Sequence, residues 1–165
     1  NSRTLNEIVR ILEKDDDVRT SKAIDLGIGL LGNVLGCMMM GFLIRLAAYD
    51  TNVLLFKQLE GIVSLKMGHD WYEALILSFF CGLLIHIGID GMRRIDNPIG
   101  RYLVLFLCIG GFTLAGFEHS VANMFFYFLN GSYTLDAALS LLLLIVGNSL
   151  GGLAVSGVRL LVSKE

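Results

Sequence analysis

Glu118 and His119 stand side by side in Gly116–Met124, which reads GFEHSVANM, with Asn123 one helical turn beyond the histidine. Glu118 is the one charged side chain between Tyr102 and Leu135. Ionisable groups at that depth in an apolar run are costly in a bilayer, which makes the pair a functional site by default. An imidazole there can carry a proton near neutral pH; it can attract an anion while charged or hand it a proton. Glu118 can tune His119 or accept hydrogen bonds from loop N–H groups, and the second use is expected. Asn123 can donate a hydrogen bond without bringing a charge.

Two further residues could join this chemistry. Lys66 lies beside Ile62, Val63, Leu65 and Met67, a segment read as a loop that can fold back into a vestibule. His86 sits inside an apolar run and suits hydrogen bonding at a helix interface. Two intramembrane histidines on different helices also suit haem ligation, so a membrane redox protein using His86 and His119 is the alternative reading. Cys37, Cys81 and Cys108 lie in apolar runs without metal-type spacing and are expected to be packing residues. No metal or other cofactor is expected.

The elements that position these groups follow from length. Gly100 to Asn130 is 31 residues, about 46 Å as one helix against a hydrocarbon core of roughly 30 Å. The stretch is therefore expected to be two half-helices meeting near the midplane, with His119 at the break, Gly116 before it and Ser120 capping the second half. Irregular backbone at that depth must be buried in protein or line a wet cavity, and a half-helix N-terminus suits an anion.

Composition agrees with a polytopic membrane protein: of 165 residues 55% are hydrophobic and 17% charged, with 19 glycines and one proline. A net charge of −2 without a basic stripe does not imply a nucleic-acid partner, and none is expected. Thr4-Leu5-Asn6-Glu7 reads as a capping box before an amphipathic helix, and Glu13–Arg19 as a solvated charge run. Residues 1–22 form a cytoplasmic charged segment in this reading, and 23–165 a transmembrane domain. Its four spans are expected at about 23–47, 72–92, 100–130 (broken) and 136–160. Ten of the thirteen Lys and Arg residues fall in the N-terminal segment, the loop after span two and the tail. By the positive-inside rule both termini are then cytoplasmic. There is no initiator Met, and NSRTLNEIVR lacks a signal-peptide pattern; a segment of a longer chain is expected.

One internal echo bears on architecture. Gly32-Asn33-Val34-Leu35-Gly36 matches Gly147-Asn148-Ser149-Leu150-Gly151. GxxxG alone is common helix-packing grammar, but the shared Asn and Leu suggest matching helices closing two structural repeats around a midplane site.

At GFEHSVANM the sequence resembles the formate/nitrite transporter family of small-anion channels. The likeness extends through KMGHDWYEALILSFFCGLL, IDNPIGRYLVLFLCIGGFTLAGFEHSVANMFFY and VGNSLGG, in order, from about Lys22 to the C-terminus. It implies an all-α integral membrane protein, an aquaporin-like inverted-repeat bundle of six spans whose spans three to six are present here, the first repeat being incomplete. It implies a channel, not an enzyme, for formate, nitrite, hydrosulfide or short monocarboxylates, homopentameric at full length in a plasma or inner membrane; with the first two spans absent, an inactive fragment of such a channel is the other alternative. The family's central histidine falls on His119, its glutamate on Glu118, its pore asparagine on Asn123 and its vestibule lysine on Lys66. Its apolar constrictions fall on Phe112 and Ile85. Where the family reads Cys-Asn, this chain reads Cys81-Gly82, so a pore-lining amide is missing.

Overall fold

The computed structural model describes residues 16–162, all of the regular structure among them helical. The capping box at Thr4 lies outside the described residues. Helix α1 spans Asp16–Ala48, α2 Val53–Met67, α3 Trp71–Arg94, α4 Pro98–Leu114, α5 Ser120–Asn130 and α6 Leu135–Val162. The described part of the expected charge run, Asp16–Arg19, is already helix, so α1 begins ahead of the expected first span.

Local chemistry sets most of these boundaries. Asn97 caps α4 by accepting from the N–H groups of Ile99 and Gly100 at 2.9 and 3.3 Å, and Pro98 takes the first helical position, where its missing N–H costs nothing. Asp70 precedes α3, and its N–H donates to the Glu73 carboxylate at 3.1 Å. Gly131, at φ 80°, ends α5 in the left-handed conformation that glycine adopts without strain. Arg45, in the last turn of α1, then donates from Nη1 to the carbonyls of Leu129 and Asn130 at 3.2 and 2.8 Å, and lies 4.4 Å from the Tyr49 ring centre.

The segment expected to be a loop around Lys66 is helix α2. Its cap is Asn52, which accepts from the Leu55 N–H at 3.3 Å, and it buries Phe56, Leu59 and Val63, one face of a helix. These residues form a core with Tyr127 and Leu129 of α5 and Ala137 of α6.

The most extensive contact is between α3 and α6; α3 also packs on α4, and α1 on α5. Glycine makes the α3–α6 approach possible. A Cβ added at Gly82 would lie 2.0 Å from the Asn148 carbonyl oxygen, one at Gly147 1.9 Å from Ser78 Oγ, and one at Gly151 1.9 Å from the Phe79 carbonyl oxygen. Small residues let backbones pack this closely where no hydrophobic effect drives helices together. The matching Gly32 and Gly36 of α1 have nothing within 4 Å among the described residues. The two halves of the echo therefore sit in different surroundings.

Ile24–Ala48, Trp71–Arg94 and Leu135–Arg159 are long and apolar enough to cross a membrane. Helix α4, 17 residues or about 26 Å, falls short, and the chain breaks before α5 continues. Large apolar side chains such as Ile28, Leu46 and Phe106 stay exposed on the outer faces, as they would against lipid.

Candidate functional site

The break runs from Ala115 to His119. Phe117 N–H donates to the Phe112 carbonyl at 3.0 Å, and Gly116, at φ 71°, turns the chain out of α4. The expected cap, Ser120, is instead the first helical residue. His119 holds the cap position: its Nδ1 accepts from the Ala122 N–H at 3.1 Å. An accepting Nδ1 is unprotonated, so in this geometry the ring proton is on Nε2.

Asn148 of α6 holds the two sides of the break together. Its Oδ1 accepts from the Ser120 N–H at 2.9 Å, and its Nδ2 donates to the Glu118 carbonyl at 2.9 Å and to the Ser78 carbonyl of α3 at 2.8 Å. Two backbone groups at the break, and a carbonyl within helix α3, are thus tied together by one carboxamide. Sequence reasoning saw Asn148 only as part of an echo; an amide beside a close-packing glycine in an apolar helix was the available signal.

The expected site residues divide into two groups on opposite sides of the break. On one side, the His119 ring stacks on Phe112, with centres 5.7 Å apart and planes 20° apart. Together with Gly36, Cys37, Met40 and Ile44 of α1 and Val121, Ala122 and Phe125 of α5, they line an open apolar groove of about 560 Å³. Ile85 is not among its walls.

On the other side lies a buried carboxylate. Glu118 is 1% exposed and accepts neither from loop N–H groups, as expected of it, nor from His119. Lys66 Nζ donates to both its carboxylate oxygens, at 3.0 and 3.1 Å, and Asn123 Nδ2 donates to Oε2. Asn123 Oδ1 is buried and meets no hydrogen-bond partner among the described residues. A helix end rather than a loop presents Lys66, which accounts for how a lysine reaches so deep: its stem lies along apolar neighbours while the ammonium meets its counter-charge.

A third basic group was not expected. His69, in the link between α2 and α3, has Nε2 3.4 Å from Glu118 Oε1 and Nδ1 3.6 Å from Glu73 Oε2. The signal was its spacing, three residues after Lys66 and four before Glu73.

Gly82 and His86 belong to neither group. Position 82 points at the α6 backbone, so glycine there serves helix approach; the reading of a missing pore-lining amide does not fit this geometry. His86, also on α3, meets Ser156 of α6 at 3.3 Å, the interface hydrogen bond expected. It faces α6, whereas His119 faces the groove beside α1 and α4. Two haem ligands must face one gap, so this arrangement does not favour the haem reading.

The family model described as "Formate/nitrite transporter" matches residues 1–162. Among curated proteins, a "Formate-nitrite transporter" of Plasmodium knowlesi (strain H) is 26% identical over 145 residues, 79% of this chain and 46% of the relative. One of Plasmodium falciparum (isolate 3D7) is 26% identical over 148 residues, 81% of this chain and 47% of the relative. The "Formate channel FocA" of Haemophilus influenzae is 32% identical over 60 residues, 36% of this chain and 21% of the relative. The chain spans about half the length of the Plasmodium relatives. A solved structure titled "FNT family ion channel" superposes with a TM-score of 0.78 at 20% identity, covering 98% of this chain and 67% of that one.

Proposed function

Because this chain belongs to the formate/nitrite transporter family, we propose that it forms part of a channel for small monovalent anions in which His119 couples protonation to passage. The observation that carries this reading is the placing of the His119 ring. Nδ1 is committed to the backbone of α5, and Nε2 has no hydrogen-bond partner among the described residues while the ring lines the groove beside Phe112.

A bare anion passing Phe112 must shed water, at several kcal/mol for a buried ion, whereas its protonated form is neutral and crosses an apolar ring at lower cost. A donor beside that ring is therefore useful. Donation from Nε2 needs a doubly protonated imidazole. Protonating Nδ1 releases the Ala122 N–H, so loading the proton costs a helix cap, about 1 kcal/mol. The Nε2 proton then passes to the anion, and the ring returns to its resting tautomer by exchange with water. Formate and nitrite, the anions in the relatives' names, fit this scheme, as do hydrosulfide and short monocarboxylates, since each is small, singly charged and protonatable.

The wider reading places both termini in the cytoplasm, from the distribution of Lys and Arg, and the protein at its full encoded length as a homopentamer in a plasma or inner membrane. Proteoliposome flux of formate between about pH 5 and 8, the range in which histidine normally titrates, is the test. His119→Asn is expected to fold and assemble while the pH dependence of saturating flux flattens. A variant with the parent's profile would show that His119 is structural.

A further inference from the structure

Lys66 as a bare vestibule cation conflicts with its geometry, because both Glu118 oxygens hold its ammonium. The pair is formally neutral, and a neutral pair attracts an anion weakly. His69 offers the remedy. Its Nε2 lies 3.4 Å from the same Glu118 oxygen that Lys66 contacts, and its side chain is 30% exposed, against 17% for Lys66 and 2% for Glu118. Of the two bases at this carboxylate it is the one in wider contact with water, and imidazole is the one whose ordinary titration spans neutral pH.

We propose that His69 is a pH-dependent second counter-ion to Glu118 which, when protonated, leaves the charge of Lys66 available to an incoming small anion. The proposal rests on the channel reading above and identifies how the vestibule cluster captures substrate. With the imidazole uncharged, Lys66 and Glu118 sum to zero; with it protonated, the three groups sum to +1. The charged groups facing His69 are Lys66 from α2, Glu73 from α3 and Glu118 from the α4–α5 connection, with Asp70 beside it in the link. Asn123, the contribution of α5, is neutral. Glu73 Oε2 lies 3.6 Å from the ring's Nδ1, but its side chain is 46% exposed, so water screens its charge more than that of Glu118. Protonation therefore changes the net charge where the dielectric is lowest. Capture is predicted to strengthen on acidification, and it does so through KM, whereas His119 acts on saturating flux.

The experiment uses the protein at its full encoded length, with formate as the probe. In proteoliposomes the parent's KM is expected to fall roughly fivefold from pH 8 to pH 5, the effect of one added charge in a partly wet site. His69→Gln should hold the parent's pH 8 value throughout, and His69→Arg its pH 5 value. A KM that stays pH-dependent in His69→Gln, or His69→Arg matching the parent at pH 8, overturns the proposal. A second readout needs no transport: the His69 ring resonance is followed by NMR in micelles, assigned through its loss in His69→Gln. Removing the neighbouring anion in Glu118→Gln should lower the His69 titration midpoint, and removing the neighbouring cation in Lys66→Met should raise it. Midpoints that move in neither variant overturn the pairing. A parent that passes no formate at any pH overturns the channel reading instead, and the titration still decides the role of His69.

Discussion

Lys66 and Glu118, 52 residues apart in the chain, meet as a bidentate ion pair with the ammonium 3.0 and 3.1 Å from the two carboxylate oxygens. The contact ties the end of α2 to the break between α4 and α5, and it makes each charge conditional on the other. A carboxylate 1% exposed is tolerable only while a cation accompanies it.

Removing one partner should therefore cost more than removing both charges. Lys66→Met is expected to destabilise the detergent-solubilised protein by roughly 3 kcal/mol, and the double variant Lys66→Met/Glu118→Gln to recover most of that. Thermal unfolding of the four members of the cycle measures the coupling. Additive losses would mean that the pair does not act as one unit.

Asn148→Ala should leave the Ser120 N–H and the Glu118 carbonyl without their partner and take a side-chain donor away from the Ser78 carbonyl within α3. At roughly 1 kcal/mol for each of the three bonds, a loss of about 3 kcal/mol is expected. Proteolysis at the break provides the check, since only an opened connection is cut. Cleavage no faster than in the parent would mean that the carboxamide is dispensable.

Glycine substitutions should divide by neighbour. Gly151→Ala, whose Cβ would meet the Phe79 carbonyl oxygen at 1.9 Å, and Gly82→Asn, which would meet Asn148, are expected to force α3 and α6 apart and lower thermal stability markedly. Gly110→Ala, with nothing within 4 Å, should be neutral or slightly stabilising through helix propensity. Equal effects at all three positions would contradict the packing described.

The cap on α5 makes the choice of substitution at His119 matter. Asparagine is among the best N-caps, so His119→Asn should keep the start of α5, whereas His119→Ala should lose about 1 kcal/mol. Comparing their thermal stabilities separates lost chemistry from lost structure. If the asparagine variant is the less stable of the two, His119 is not acting as the cap.

Arg45→Lys tests the other end of α5. A lysine keeps the charge but lacks the planar fork that spans the Leu129 and Asn130 carbonyls, so it should restore less than half of the stability lost in Arg45→Ala. Full restoration would reduce the contact to simple charge at a helix C-terminus.

The break at Gly116–His119 was legible because length and apolarity together forbid a single straight helix from Gly100 to Asn130. Its capping residue was misplaced by one position, because serine is the usual cap and an imidazole nitrogen is rarely given that work. Helix α2 was hidden by its charges: Lys57, Glu60 and Lys66 made Val53–Met67 look like a loop between spans, although Asn52 and the spacing of Phe56, Leu59 and Val63 carried a helix signal. The grouping of Lys66, Glu118 and Asn123 could be expected from resemblance alone, since their sequence separations fix no distances. That His119 faces away from them, toward Phe112, depends on the backbone turn at Gly116, which a sequence does not orient. His69 was passed over as one more polar residue in a short link.

The three bonds of Asn148 also impose an order on biogenesis. A nascent chain that has threaded α4 and α5 still presents the Glu118 carbonyl and the Ser120 N–H to lipid or to the translocon wall, each a cost of order one to several kcal/mol in hydrocarbon. Their partner is encoded 28 residues beyond Ser120, in α6, which is synthesised after both. The α4–α5 element therefore has no settled transmembrane position until α6 has inserted and docked against α3. Nascent chains that end before Asn148 should leave Glu118 and Ser120 within reach of aqueous reagents, and chains that extend beyond α6 should not.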